Sequence, residues 1–584
     1  MLIKRNLFIA VAIMFAVLSL GFNFISKKNK RSPQLVSRES IFRNKNIISC
    51  SPNWNYLNAD SLANSIGVLP GWGNYRWKIY TKNDSAQFFF NQGINMYYAF
   101  HIIEAMASFK KAQQFDSSNA MIYWGQALAY GPNINDYAYA ATPEAFAASQ
   151  KALSLKTSCT AKEKELIKAM AVRYSSDSTI SRVLLNQQYA DAMKKSYNRF
   201  LNDADVSTLY ADALMLQHPW DYWKHNGDAE PWTASILAVL DGVLKKYPEH
   251  PGANHYYIHS VEASSNPQRA LASADKLGKL MPGVAHMVHM PSHIYIRSGN
   301  YKQGSIVNEM SVTGYKNYLA LYPDVQNNAL FYLVHNLHMQ SACAMMRANY
   351  NYSNNSALEC SKSFDTSYIS LPAPFGTYMQ YLYATPTINH VRFKKWDAIL
   401  NTAPPQQNHI YASVLWHWAR GMAFAGKNKT TEAAAELKML VQEMKAPGML
   451  AVMQPFNAPA DAAKVAEKIL AGVIALKKND FTKAIQLLNE AVANEDALIY
   501  NEPKDWLIPA REYLGDALLK SGNAAKAAII FKEDLKENPH NHWALYGLYQ
   551  ALKQQKKTAE AANIKKQFDI EFAGADIPPG NVVF

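Results

Sequence analysis

The sequence predicts an all-α protein, an α-solenoid of stacked helix pairs with irregular inserts, preceded by one apolar helix at the amino terminus. Small and large residues recur at fixed offsets along the chain, Pro residues stand where helices should end, and no series of alternating apolar runs indicates strands. At 584 residues the chain exceeds one ordinary hydrophobic core. Stacked repeats escape that limit, because each unit packs only on its neighbours.

Composition narrows the class of protein. Apolar residues make up 49% of the chain, which excludes global disorder. The net charge of +13 is spread without a long basic run, so we expect an ordinary basic surface and no nucleic-acid partner. No two of the four Cys residues have C-x-x-C spacing, which excludes a zinc knuckle or redox pair of that kind. Sequence spacing alone does not decide whether Cys343 and Cys360 form a disulfide bond.

The amino terminus indicates export. Residues 1–26 hold two basic residues followed by an apolar run about long enough to span a bilayer, as in a signal peptide or signal anchor. The basic residues after it would favour a cytoplasmic body. We expect instead a periplasmic or exported envelope protein, anchored in the inner membrane by this segment. Residues 27–84 then form a basic tether and an irregular amino-terminal segment.

Residues 85–215 carry the first repeats. Tyr123 and Tyr130 occupy the two aromatic positions of one unit, and the unit before it supplies the small residues. These offsets match the tetratricopeptide (TPR) template, in which small residues let two helices pack closely and large ones fill the space between them. The small and large residues of the earlier unit are Gly93, Ala105, Phe109 and Ala112.

Residues 346–584 repeat the pattern more strongly. Leu548 and Ala561 follow Leu514 and Ala527 by 34 residues, which is the TPR period. In the middle of the chain, the tripeptide Gly299-Asn300-Tyr301 resembles the turn between paired helices. The other matching residues of the carboxyl-terminal part are Gly515, Phe531 and Pro539, then Gly472, Ala484 and Ala491, and more weakly Gly421 and Ala433.

Residues 216–345 form a His-rich central region. His255 and His259 are four residues apart and Glu262 follows three residues later, so a helix starting at Pro251 places all three on one stripe. Ten of the 16 His residues lie in this region: His218, His225, His250, His255, His259, His286, His289, His293, His335 and His338.

Helical spacing recurs twice more, since His286, His289 and His293 are spaced i, i+3, i+7, and His335 and His338 are three residues apart. We expect a helix to begin near Pro291, so that neighbouring helices each offer paired imidazoles, as metal sites in helical proteins require. Imidazole-rich ligation suits zinc, copper or iron. Glu262 or Asp221 would orient a ligand or act as a base. The predicted metal ligands are His255, His259, His286, His289, His293, His335 and His338. The alternative is a packed aromatic interior in which each His is simply hydrogen-bonded.

The chain also resembles a widespread, poorly characterised family of bacterial TPR-repeat proteins, from about residue 85 to the end. The resemblance implies the TPR architecture and makes the His strings a family feature, but it implies no activity. Glu502 and Trp506 lie in one such string, where a contribution to the site and a helix cap with a buried Trp are equally open. The strings are GQALAYGPNIN (125–135), HPWDYW (218–223), HPGANHYYIH (250–259), HMPSHIYIR (289–297), HNLH (335–338), LWHWARG (415–421) and EDALIYNEPKDW (495–506).

Two main functions follow. The first is a scaffold whose concave face binds a protein or peptide, with the His cluster structural or metal-binding. The alternative is a metal-dependent enzyme, a hydrolase or an oxidase, that uses the central His cluster. A third possible function is to bind and carry a ligand or a metal ion. Convergence of the ring nitrogens on a common point distinguishes the metal hypotheses from the purely structural one.

Overall fold

The computed structural model describes residues 52, 54, 57–137, 139–140, 142–321, 326–452 and 457–577. These ranges are almost entirely helical and contain two isolated bridges but no strand, so the predicted all-α class is confirmed for them. The predicted apolar helix within residues 1–26 lies outside them. The helices, numbered in chain order, are α1 Ala59–Ser65, α2 Asp84–Tyr98, α3 Ile102–Phe115, α4 Ala120–Ala129, α5 Thr142–Leu155, α6 Ala161–Ala171, α7 Arg182–Arg199, α8 Ala204–Met215, α9 Thr233–Lys246, α10 Pro251–Val261, α11 Leu271–Leu280, α12 Ala285–His289, α13 Pro291–Arg297, α14 Tyr301–Leu321, α15 Gln326–Met346, α16 Tyr350–Lys362, α17 Phe375–Tyr383, α18 Thr385–Arg392, α19 Trp396–Leu400, α20 Ile410–Gly426, α21 Thr430–Glu443, α22 Pro459–Lys477, α23 Phe481–Asp496, α24 Ala510–Lys520, α25 Ala524–Glu537, α26 His542–Gln554 and α27 Thr558–Phe572.

One three-residue turn joins helix pairs along the chain. The first helix ends two residues before a residue of positive φ, and the next helix begins two residues after it. The residue after the positive-φ position donates its backbone N–H to a carbonyl five residues earlier, as Asp480 does to Ala475 at 3.0 Å. This hydrogen bond satisfies carbonyls that a helix end leaves unpaired. The central residues are Phe100, Gly299, Ala348, Lys394, Asn428, Asn479, Gly522 and Lys556.

Glycines hold the paired helices close. A Cβ at Gly93 or Gly125 would lie 2.6 or 2.7 Å from the ring of Phe109, so only Gly fits on either side of that ring. This Gly–Phe–Gly packing is the physical content of the offsets in the sequence, and it confirms helix pairing at both ends of the chain. The equivalent carboxyl-terminal residues are Gly515, Phe531 and Gly547.

Two large hydrophobic cores lie along the stack. The first includes residues from Ile66 to Tyr295, and the second includes residues from Ala342 to Ala561. Residues on both sides of position 215 share the first core, and the second core begins at Ala342. The segment expected to be irregular contains α1, and its Trp77 is 2% exposed, so its later half belongs to the first core.

Two further features bear on the predictions from sequence. Within the ranges given above, no helix combines the length and apolarity that crossing a membrane requires. Cys343 and Cys360 are buried free thiols, so the bridge left open between them is not formed.

Candidate metal centre

The first two imidazoles stand one turn apart on α10. Pro251 opens this helix, as predicted, and the side chain of His250 caps it by accepting a backbone N–H. Gly252 lets α10 approach α2, because a Cβ there would lie 2.7 Å from the ring of Tyr98. That approach places Nδ1 of His255 within 2.6 Å of the carbonyl oxygen of Tyr98.

Three more imidazoles come from α12 and α13, and a sixth from α15. Pro291 has no N–H to continue α12, so α12 ends at His289 and α13 begins at Pro291. The break keeps His289 and His293 neighbours, with their Nε2 atoms 2.8 Å apart. His286 lies one turn before His289, and His335 reaches the cluster from α15.

We call His255, His259 and His286 the first triad. Nε2 of His255 and Nε2 of His259 are 3.1 Å apart, and one ring nitrogen from each of the three residues lies within 4.8 Å of the others. Neither nitrogen of His286 has a hydrogen-bond partner in the part of the chain that is described. The ring of Phe100 packs on this triad, with its centroid 4.5 Å from that of His255. An apolar ring therefore covers one side of three buried imidazoles.

We call His289, His293 and His335 the second triad. Nε2 of His289 lies 2.8 Å from Nε2 of His293 and 3.1 Å from Nε2 of His335. One nitrogen from each of the three lies within 4.8 Å of the others. The structure thus brings together six of the seven predicted His ligands.

Glu262 joins the two triads. One carboxylate oxygen, Oε1, lies 3.2 Å from Nδ1 of His259, and the other, Oε2, lies 2.8 Å from Nδ1 of His293. The side chain is 2% exposed, and burial raises the pKa of its carboxyl group. Both oxygens already contact imidazoles, so Glu262 is placed to orient ligands rather than to act as the base that the sequence suggested.

Glu502 brings a second carboxylate to the centre. It lies in the insert between α23 and α24, and its Oε2 contacts the same Nδ1 of His293 that Glu262 contacts. Burial and the neighbouring Glu262 raise the pKa of Glu502. Although burial opposes it, the two carboxylates raise the pKa of His293. One N–H thus faces two carboxylates, and their negative charge would be balanced by a bound proton or by a nearby cation.

Outer partners fix which nitrogen carries the hydrogen on two of the rings. Nδ1 of His255 faces the carbonyl of Tyr98, which can only accept, so this nitrogen donates. Nδ1 of His289 faces Oδ1 of Asn308 at 2.6 Å. The Asn308 amide is oriented by its own Nδ2, which donates to the carbonyl of Gly304 at 2.7 Å, so Nδ1 of His289 donates as well.

The remaining central rings follow the same rule. Nδ1 of His259 and Nδ1 of His293 face Glu262, so both nitrogens donate. In the neutral state, His255, His259, His289 and His293 therefore all carry a lone pair on Nε2. The close Nε2 pairs at 3.1 and 2.8 Å are then contacts between two acceptors.

Two facing acceptors repel unless a proton or a metal ion lies between them. Ligand nitrogens bound at 2.0–2.1 Å to a tetrahedral metal ion are about 3.3 Å apart, close to the separations in both triads. A proton on Nε2 of His293 would form a hydrogen bond to Nε2 of His289, but it would leave the contact between His255 and His259 unexplained. In the first pair, burial lowers the pKa of both His255 and His259, which disfavours a proton there. A metal ion satisfies both pairs.

Two predicted residues lie apart from the triads. Asp221 is exposed, because the chain turns at Trp220 with φ of 63° and leaves the carboxylate at the surface. His338 is buried, packs edge-on against Tyr381, and has a pKa lowered to about 3 by burial. The second carboxylate at the centre is Glu502 instead of Asp221. From the sequence, a role of Glu502 in the site and a role in a helix cap were equally open. Asn308 gave no signal in the sequence.

Comparison with known proteins gives no family. No family model matches the chain, and no curated protein matches it either. Solved structures that align with this chain include yeast Tom70, with 10% identity over 84% of this chain and 91% of that chain and a TM-score of 0.26. The human IFIT1 dimer with PPP-AAAA has 11% identity over 92% and 98%, with a TM-score of 0.29. The P58(IPK) TPR domain has 12% identity over 81% and 99%, with a TM-score of 0.20. These low TM-scores carry no conclusion about function.

Proposed function

We propose that the chain is a transition-metal protein that holds one metal ion on each His triad, with Glu262 between the two ions. The observation that carries the proposal is the pair of close Nε2–Nε2 contacts at 3.1 and 2.8 Å, in rings whose Nδ1 atoms are committed as donors. Metal-binding His residues are held in this way by carboxylates and carbonyls, which fix the tautomer and the ring orientation.

The ligand chemistry favours zinc, copper or iron. Both triads offer imidazole, with carboxylate close by, and the metal-ligand clusters found in the described ranges include no thiolate. Magnesium and calcium prefer all-oxygen sites and fit this ligand set poorly. The metal would supply Lewis acidity, or redox chemistry in the case of copper or iron.

The surroundings support an enzyme, a metal-dependent hydrolase or oxidase, over simple carriage of metal. Glu502 has one oxygen on His293 and a second oxygen, Oε1, without a hydrogen-bond partner among the residues described. Its raised pKa lets it hold or release a proton near neutral pH. Glu502 is therefore the acid–base candidate, while Glu262 positions the triads.

Metal analysis of variants tests the proposal. Full-length protein loaded with Zn²⁺, freed of excess and analysed by mass spectrometry should hold two ions per chain. Replacement of His255 by Gln should leave one ion, and replacement of His335 by Gln should also leave one, because each removes one ligand from one triad. The His338→Gln variant is the matched control, since His338 is buried one turn from His335 but outside both triads.

The outcome that would contradict the proposal is also specific. Sub-stoichiometric metal after loading with zinc, copper and iron in turn would remove the basis for a metal centre. So would equal losses of metal in the His338→Gln control and in the two triad variants. Circular dichroism of each variant separates loss of a ligand from loss of the fold.

We further propose the scaffold and envelope roles that the sequence suggested. Stacked helix pairs offer the kind of surface that binds a protein or peptide, and this supports a partner on the concave face. The envelope location has the support of residues 1–26 alone. Fractionation of cells that express the full chain tests the location, because a membrane-associated, protease-accessible product is expected.

A further inference from the structure

A cleft opens beside the second triad, between α13, α14, α15 and the insert that carries Glu502. The space inside its lining, counted out to open solvent, is about 520 Å³. Arg297 lines it one helical turn after His293, and Tyr301 lines it from the start of α14. The insert supplies Glu502 to the same cleft and to the second triad, so the two sites share a wall.

Unpartnered polar atoms border this cleft. Oη of Tyr301, Oη of Tyr500, Nε1 of Trp506 and Oε1 of Glu502 are all buried and have no hydrogen-bond partner within the described part of the chain. Tyr301 and Trp506 are only 2% and 3% exposed. A buried polar group without a hydrogen-bond partner destabilises the folded chain. Four such groups around one cleft indicate a site built for a ligand.

The chemistry of the lining selects an anion. Tyr301, Tyr500 and Trp506 can each donate a hydrogen bond, and two cations stand beside them. Nε and Nη2 of Arg297 donate to the backbone carbonyls of Glu262 and Ser264, while its Nη1 lies 3.9 Å from the Glu537 carboxylate, beyond hydrogen-bond distance. Nζ of Lys504 makes a 3.3 Å hydrogen bond to an amide. Hydrogen-bond donors and cations around one cleft suit an oxyanion.

The rest of the lining limits the charge and shape of that ligand. Glu502 and Glu537 also line the cleft and would repel a dianion such as phosphate. Ile296, Met346 and Leu507 give it apolar walls that suit a hydrocarbon body.

We infer that this cleft binds a small organic monocarboxylate with an apolar or aromatic body. Its carboxylate accepts from Tyr301, Trp506 and Lys504 beside the Arg297 guanidinium, and its body packs against the apolar walls. Glu502 lies between the ligand and the second triad. The binding site stands without the metal, whereas its role as the substrate site of the metal centre rests on the proposed function.

Calorimetric titration of full-length protein with 3-phenylpropionate tests the inference, with 3-phenylpropanamide as the neutral analogue. We expect one carboxylate per chain, and binding of the amide weaker by roughly tenfold, the usual value of a charged hydrogen-bond partner. The variants Tyr301→Phe and Lys504→Gln should each weaken carboxylate binding by about the same factor. Tyr301→Phe removes only an unpartnered hydroxyl, so it should fold at least as well as the wild type.

Tyr189→Phe is the matched control, since its hydroxyl is also buried without a partner but does not line the cleft. Absence of binding at millimolar carboxylate, equal binding of acid and amide, or no effect of Tyr301→Phe would overturn the inference. Titration before and after metal removal separates the two proposals. Carboxylate binding to a chain that takes up no metal would support the cleft and refute the metal centre, and two bound ions without carboxylate binding would do the reverse.

Discussion

At the scale of single residues, the candidate centre depends on backbone and side-chain groups that surround the imidazoles without offering a ligand atom themselves. The Tyr98 carbonyl, the Asn308 amide and the Glu262 carboxylate each take the Nδ1 hydrogen of an imidazole. This leaves Nε2 of each ring as the ligand atom, with the ring held in one orientation. The outer partners therefore decide whether six nearby His residues form ligand sets or merely a packed interior.

Replacement of Asn308 by Leu should weaken metal binding at the second triad by about 10- to 100-fold, the usual effect of losing an outer partner. His289 would lose the acceptor that fixes its tautomer. Competition with a chelator of known affinity measures this, and the first triad should keep its affinity. Ser305→Ala is the control, because Ser305 is buried one turn away on α14 and its hydroxyl donates to the Tyr301 carbonyl of the same helix. Equal effects of both variants would contradict the role given to Asn308.

The buried carboxyl group of Asp212 should make the stability of the fold depend on pH. Burial raises the pKa of Asp212 to about 6, against the opposing effects of Arg173 and of the hydrogen bond from Tyr97. Between pH 4 and 6 the folded chain holds a proton that the unfolded chain has released, so this group's contribution to stability falls as pH rises. The stability of Asp212→Asn relative to wild type should increase by about 2–3 kcal/mol between pH 4 and 7.5. Urea unfolding at both pH values measures it, and a constant difference would refute the assignment.

At the scale of elements, one turn and one packing device explain the repeats. The positive-φ position of the turn is occupied by Gly or Asn in four of its eight occurrences, where φ near 60° costs least. In the first pair it is Phe100, a bulky residue for which this conformation is strained. Its ring covers the first triad. The bulkiest residue at this turn position thus lies against the candidate site, where strain is most often stored.

Two glycine substitutions should change the free energy of unfolding in opposite directions. In Gly515→Ala the new methyl would lie 2.6 Å from Cε1 of Phe531, so we expect a loss of about 1–3 kcal/mol from overpacking. In Gly242→Ala, within α9, nothing lies within 4 Å, so we expect a gain of up to about 1 kcal/mol from helix propensity. The free energy of unfolding of both variants decides this. Two variants of equal stability would contradict the packing role of the glycines.

Much of the element structure is local and therefore predictable. Pro251 and Pro291 start helices where the sequence places them, and the offsets around Gly515 report a real contact. The site is less predictable, because Asn308 and Glu502 reach it from distant parts of the chain with no spacing relation to His293. Asp221 was misplaced for the same reason. Its nearness in sequence to the His residues says nothing about the turn at Trp220.

At the scale of the whole molecule, the centre gathers ligands from both halves of the chain. The first triad lies on α10 and α12 beside the first core, and His335 comes from α15, just before the second core begins. Glu502 comes from an insert whose flanking residues belong to the second core. A repeat stack has mainly nearest-neighbour contacts, so a shared centre is a way to couple its distant parts. Metal binding and folding of the whole chain are then linked.

Anomalous diffraction from crystals of zinc-loaded protein decides whether the two triads hold metal ions. We expect two peaks, one within about 2.0–2.1 Å of Nε2 atoms of the first triad and the other equally close to those of the second. Data collected on both sides of the zinc edge would identify the ion. A structure with no peak in either triad, and with His255 and His259 joined through a proton, would contradict it.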